Sequence, residues 1–239
     1  MQPFSILLGL GVLLGLLMTV WRVPEKETSH YLDAALWVLL GALVGSRLIT
    51  VVVNLNYYQS HAGEIVQVWR GGLSGIGALA GGMLMIFILA LWLKYPAGTL
   101  ADALLPLAGA LAITAWLGCW VDGCSYGYTS EHWWALPGRD EWGVSADRVP
   151  VQLLGATLTL VIIWLLDWAG RRISIPGLMA AIGLFGLSIV LFLLSYLRAD
   201  PTPIWNGLRL EAWGAIGLMV FSLIVLVVLL LREKFWKKD

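Results

Sequence analysis

Charge is what this sequence has least of. Among its 239 residues, 15 are Lys or Arg and 15 are Asp or Glu, together 13%. A soluble domain carries about 25%. That shortage excludes an ordinary soluble enzyme. The formal net charge is zero, so nothing in it points to nucleic acid. Cysteine is equally scarce: two residues do not make a disulfide framework. The three histidines, His30, His61 and His132, are isolated near segment ends. None has a Ser or Cys neighbour suited to a triad, and two cysteines without a histidine at ligand spacing fall short of a four-ligand metal site. No metal and no cofactor is expected. There is no low-complexity tract and no convincing internal repeat. The start, Met1-Gln2-Pro3-Phe4, lacks the basic region of a secretory signal, and no A-x-A site follows. The first apolar segment is therefore expected to be a retained anchor.

Apolar sequence is what fills the chain. It is 59% hydrophobic, with mean hydropathy +0.83. Roughly 20 apolar residues span a bilayer as a helix. Seven segments qualify, at about 4–21, 31–53, 73–93, 100–120, 150–169, 176–197 and 210–231. The expected fold is all-α: a polytopic membrane protein of seven transmembrane helices, forming one transmembrane domain over 1–239. The 14 tryptophans, many near segment ends, suit an interfacial aromatic belt. Orientation follows from Lys and Arg. The first, third and fifth connections and the tail hold nine: Arg22, Lys26, Lys94, Arg171, Arg172, Arg232, Lys234, Lys237 and Lys238. The opposite side holds five: Arg70, Arg139, Arg148, Arg198 and Arg209. The N-terminus is thus predicted outside and the C-terminus in the cytoplasm. Residues 121–149 then form an outer-face interfacial loop. Its charge and clustered tryptophan suit an amphipathic segment lying in the interface.

The candidate site is Trp116 to Tyr128, where an apolar helix runs into a carboxylate, three glycines and a tyrosine pair. A carboxylate at the edge of a hydrocarbon slab is expensive and should have a partner or a task. Asp122 has three readings: base, ion-pair partner or helix-end cap. Tyr126 is placed to donate to a substrate oxygen, whereas Tyr128 reads as aromatic belt. Gly123 and Gly127 allow the backbone to bend and a ligand to approach. Cys119 and Cys124 lie on different faces of an unbroken helix, but a break at Gly123 lets them meet. A disulfide and a buried pair of thiols both remain open. Arg47 stands among apolar residues, about 14 positions and roughly 21 Å of helix from Asp33. An intramembrane arginine is a functional hypothesis by default, and an anion is the partner it suits. Arg70, Arg198 and Arg209 share the outer side, and arginine forks fit phosphate oxygens. Gly71, Gly72 and Ser74 open a glycine-rich third segment. They suit either close helix packing or backbone N–H groups facing an anionic head group. Gln152 is an uncharged polar group just inside the bilayer.

These residues, in this order, resemble the prolipoprotein diacylglyceryl transferase family. Its Gly-rich arginine helix looks like Gly41 to Arg47. Its W-x-G-G-(L/M)-S stretch looks like Trp69 to Ser74. Its G-R-x-G-N-F-x-N-G-E-x-x-G signature resembles Ala115 to Gly127, its H-P-x-Q-L-Y-E motif resembles Val149 to Gly155, and its late F-R-x-x-D resembles Leu197 to Asp200. The likeness runs from about 30 to 210. Several family residues are replaced. The histidine after G-G-(L/M)-S falls on Ile76 or its neighbours, the signature arginine on Trp116, the asparagines on Cys119 and Asp122, and the glutamate on Cys124. The pattern G-C-x-x-x-G-C-x-Y-G looks like a divergent branch.

The resemblance implies a multi-pass protein of the bacterial inner membrane, acting as a monomer, with its active site at the outer leaflet. Phosphatidylglycerol would supply the diacylglyceryl group, and the lipobox cysteine beside a prolipoprotein's signal peptide would accept it. Arg47, Arg70 and Arg198 would hold the phosphate, and Asp122 is the carboxylate available to help form the thiolate. Two other readings stand beside this one. In the first, Cys119 and Cys124 cycle as a membrane dithiol. In the second, the chain is a non-catalytic lipid-binding accessory protein of the same fold.

Overall fold

The computed structural model describes residues 3–170, 172, 173 and 175–236, with the side chains of Arg70, Leu93, Phe235 and Trp236 outside the description. The helices are α1 (Pro3–Arg22), α2 (Thr28–Val53), the short α3 (Leu55–Ser60), α4 (Gly75–Leu93), α5 (Ala97–Asp122), α6 (Val151–Gly170), α7 (Leu178–Ser195) and α8 (Leu210–Trp236). All except α3 are long and apolar enough to cross a membrane, seven among the described residues, as the sequence predicts. A helix is the form that satisfies its own backbone where no water is present.

Helix α5 runs through the bundle. Helix α1 packs along it on one side and α6 on another, while α2 pairs with α4 and α7 with α8. Leucine is no more apolar than a lipid tail, so such pairs depend on close contact between small residues. The glycine stripes of the second and third segments face each other. A Cβ on Gly45 would lie 2.5 Å from the Gly77 carbonyl oxygen, and one on Gly41 would lie 2.9 Å from that of Gly81. Close packing is therefore what Gly77 and Gly81 of α4 do. Helix α1 meets α5 in the same way, with Gly15 against Leu107 and Gly118 against Phe4. At the far end of α5, Asp102 caps α7. Its carboxylate accepts the N–H groups of Gly177 at 2.6 Å and Ala180 at 2.7 Å.

The second, fourth and sixth connections form a polar crown around the C-terminal end of α5. The fourth contains a β-hairpin, β1 (Leu136–Arg139) against β2 (Ser145–Arg148). Pro137, Gly138 and Gly143 disfavour helix there. Asp140 fixes the turn by accepting the N–H of Trp142 at 3.1 Å and of Val144 at 2.8 Å. The sixth connection is a smaller hairpin, β3 (Ile204–Trp205) and β4 (Leu208–Arg209), closed by Asn206-Gly207 with φ of 48° and 79°. Both central residues have positive φ, as a tight hairpin turn requires. Gly127 bridges to Arg198, and Thr129 bridges to Arg148. Residues 126–129 thereby tie the crown's two hairpin-bearing connections together.

Candidate functional site

The site begins where α5 stops. Gly123 takes φ +75°, and its N–H and that of Cys124 both return to the Cys119 carbonyl, at 2.9 and 3.0 Å. This left-handed cap reverses the chain. It brings the Cα atoms of Cys119 and Cys124 within 4.5 Å, and the two are joined as a disulfide. Neither cysteine is a free thiol. Gly123 is also where the hairpin turn rests, since a Cβ there would lie 2.6 Å from the Asp140 carbonyl oxygen. Gly127 has Val149 and Val151 against it just as closely. Both glycines admit neighbouring chain, so no room for a ligand opens at either Cα. Gln152 is buried and donates its Nε2–H to the Cys124 carbonyl at 2.9 Å. Asp122 is exposed, and its Oδ2 accepts the N–H of Phe4 at 3.3 Å. That N–H belongs to the first turn of α1, where a carboxylate is favoured by the helix dipole.

The arginines are engaged from within. Arg47 is 7% exposed. Its Nε donates to Ile65 O at 2.9 Å, Nη1 to Gly71 O at 2.7 Å and Gly72 O at 3.1 Å, and Nη2 to Glu64 O at 2.6 Å. The positive φ of Gly71 and Gly72, 89° and 69°, turns those carbonyls inward. Arg47 thus moulds the 64–72 turn. Ser74 caps α4, accepting the N–H of Gly77 at 3.2 Å. The side chain of Arg70 lies outside the described residues. Arg198 grips Asp200 with Nε at 2.8 Å and Nη2 at 2.6 Å, and its Nη1 meets Glu211 at 2.5 Å. Arg209 reaches the same Asp200 carboxylate at 3.1 Å and the Arg198 carbonyl at 3.3 Å. Two guanidiniums therefore converge on one internal anion.

Three residues that sequence reasoning passed over complete the crown. Arg148 pairs with Asp140 at 3.1 Å, both nearly buried, and lies 4.7 Å over the Tyr126 ring. Burial pushes the Tyr126 phenol up, with Glu141 and Asp140 adding to it. Glu141, at the hairpin turn, has its carboxyl raised by desolvation and then by Asp200 and Asp140. It is nonetheless exposed, so the acidic neighbours matter more than burial. The available sequence signal was the turn chemistry of Asp140-Glu141-Trp142-Gly143, which brings Arg148 back beside Asp140.

Below the crown a groove of about 280 Å³ opens between α1 and α2, lined by Phe4, Leu8, Val12, Leu43, Trp69 and Leu73 among others. Its described lining carries no charged side chain, and it ends at Gly71, whose carbonyl Arg47 holds. The arrangement is an apolar slot running up to a polar, disulfide-closed cap. Among the described residues no group of three His, Cys, Asp or Glu side chains is arranged to hold a metal.

A family model, prolipoprotein diacylglyceryl transferase, matches residues 1–228. A phosphatidylglycerol–prolipoprotein diacylglyceryl transferase of Streptomyces griseus is 29% identical over 235 residues, covering 94% of this chain and 71% of that protein. Transferase 1 of Streptomyces coelicolor is 30% identical over 238 residues, covering 97% and 68%. The transferase of Synechococcus elongatus is 27% identical over 245 residues, covering 94% and 82%. With seven helices long and apolar enough to span in place and the match running into α8, the chain belongs to the prolipoprotein diacylglyceryl transferase family.

Proposed function

We propose that this membrane protein transfers a diacylglyceryl group from phosphatidylglycerol to the lipobox cysteine of prolipoproteins. The observation that carries the reading is the family match over residues 1–228. The groove between α1 and α2 gives it a physical route, because an acyl chain can enter from the bilayer while its head group stays at the α5 end. The lysine and arginine distribution supports an outward-facing α5 end, the family supports a bacterial inner membrane, and at such a face a disulfide persists. The acceptor would approach with its signal peptide in the membrane, and a monomer suffices.

The reaction forms a sulfur–carbon bond at the glyceryl carbon and breaks the bond from that carbon to a phosphate oxygen. Glycerol phosphate leaves with the electron pair, and the acceptor thiol loses its proton. Thiolate is the nucleophile, so a base is needed. Asp122 at the end of α5 and Glu141 at the hairpin turn are two exposed carboxylates in the crown region. Tyr126 brings a phenol near Glu141, and the disulfide with Gly123, Gly127 and Gln152 holds the platform. Charge for the leaving phosphate comes from arginine. Arg139 is exposed, and no described side chain pairs with it. Arg47 orders the Gly71–Gly72 turn that carries Arg70 and closes the groove. At Arg198 and Arg209, a phosphate must compete with Asp200.

The test is the purified protein in phosphatidylglycerol vesicles with a lipobox peptide. The expected products are glycerol phosphate and a thioether-linked diacylglyceryl peptide. A well-folded protein that yields neither product, and does not restore lipoprotein modification in a strain depleted of its own transferase, overturns the reading.

A further inference from the structure

An enzyme that alkylates thiols has a chemical difficulty if it carries thiols of its own. This chain has two cysteines, and both stand at the end of α5. Both are half-buried rather than sealed in the core. Next to them in the chain are the exposed Asp122 and the buried Tyr126. Every cysteine is consumed in the Cys119–Cys124 bond. A disulfide sulfur has no proton to lose and is no nucleophile, so this bond removes the internal competitors while leaving the incoming thiol as the sole acceptor.

We propose that Cys119 and Cys124 form a masked self-modification site: once the disulfide is reduced, the protein becomes an acceptor of its own diacylglyceryl group. The proposal rests on the transferase reading above. Reduction by a phosphine takes two electrons from phosphorus, with two protons and the oxygen of the resulting phosphine oxide from water, and yields two thiols. One thiol then loses its proton, its sulfur bonds to the glyceryl carbon of phosphatidylglycerol, and the bond from that carbon to the phosphate oxygen breaks. Glycerol phosphate departs with the electron pair. The C-terminal end of a helix disfavours a nearby anion, so the freed thiols ionise reluctantly and self-modification is slower than transfer to the peptide. It is also a dead end, because a thioether cannot re-form the disulfide. The geometry adds a second consequence. Cys124 presents its carbonyl to Gln152, so a bulky group on its sulfur disturbs the platform on which the site stands.

The experiment is intact-protein mass spectrometry after incubation in phosphatidylglycerol vesicles. A phosphine is used as reductant, because it brings no competing thiol. Oxidised wild type is expected to keep its mass. Reduced wild type is expected to gain one diacylglyceryl group. At least one of Cys119→Ser and Cys124→Ser, each of which leaves one free thiol, is expected to gain the same group without reductant. The double variant Cys119→Ser/Cys124→Ser gains nothing. Size-exclusion profiles in detergent check that each variant is folded, and the reduced wild-type arm stands if a variant is not. If oxidised wild type alkylates a lipobox peptide but no free-thiol form gains mass, the inference is wrong and the transferase reading survives. If oxidised wild type fails on the peptide as well, both fall together.

Discussion

The spanning bundle and the crown above it are held together by opposite means. In the bundle, backbone touches backbone. Gly45 meets Gly77 and Gly81 across the α2–α4 seam, and almost no charge is involved. In the crown, side-chain charge holds backbone. Arg47 gathers four carbonyls, Arg148 holds Asp140, and Arg198 with Arg209 encloses Asp200. The contrast follows from the solvent. Lipid gives no hydrophobic reward for bringing helices together, so shape must do it. The crown faces water and is made of connections, whose backbone groups need partners that helices would otherwise supply. The bundle should thus be sensitive to volume and the crown to charge.

The largest effect is expected where a single change leaves buried charge alone. Arg148→Ala strips Asp140 of its partner and removes the cation over Tyr126. Both side chains are about nine-tenths buried. Breaking such a pair costs about 4 kcal/mol, read as a fall in the thermal midpoint in detergent. Equal stability of Arg148→Ala and wild type would remove the charge half of the comparison. Gly45→Leu tests the volume half. Its side chain has nowhere to go against Gly77 and Gly81, and overpacking of this kind costs about 3 kcal/mol. A mild effect there, with α2 and α4 still cross-linkable at their native positions, means that the seam is looser than the glycine contacts imply.

Function should separate from stability at Asp122. Asn keeps an oxygen for the Phe4 N–H, so Asp122→Asn is expected to melt like wild type. If Asp122 is the base, peptide alkylation falls by about 100-fold. An unchanged rate assigns proton removal elsewhere, with Glu141 first in line. Reducing the cross-link comes next. Loss of a bond closing so short a loop lowers stability by about 2 kcal/mol in the chain-entropy account, measured by comparing Cys119→Ser/Cys124→Ser with wild type under oxidising conditions.

The smallest effect concerns Glu141. Its carboxyl is raised in the folded protein, by desolvation and by Asp200 and Asp140. A raised group favours the folded state while protonated, and that contribution is lost as pH rises through its folded value. Glu141→Gln should therefore melt slightly higher than wild type at neutral pH and the same as wild type at acid pH. A variant that melts lower at neutral pH places an unrecognised favourable contact on that carboxylate.

Hydropathy, glycine spacing and the ordered motifs from Arg47 to Asp200 were enough to read the seven spans to within a few residues and to point to the family. Those features are local, because a span is a run of apolar residues and a motif is a short string. The break at Gly123 was also readable, since a glycine between two cysteines five apart allows one geometry that a helix forbids. The crown was much less readable. Tryptophan and charge mark 121–149 as an interfacial segment but do not specify its form, and the hairpin at Leu136–Arg148 emerges only in the fold. Arg148 passed as one more outer arginine, although it fastens the hairpin to Tyr126. Arg47, read as an anion ligand, spends its donors on Glu64, Ile65, Gly71 and Gly72.

Sequence by itself determined that this chain is a seven-span membrane protein and which stretch ends its central helix, because both follow from transfer free energy and from glycine's freedom at one position. Tertiary structure alone decided what Arg47, Arg148, Arg198 and Arg209 grip and that the two cysteines are bonded. It also opened the groove between α1 and α2. The physical reason is that a guanidinium suits a carbonyl, a carboxylate or a phosphate almost equally well. Which of these it meets depends on chain brought from 17 residues away in the case of Arg47 and Glu64, and from 21 in the case of Arg148 and Gly127.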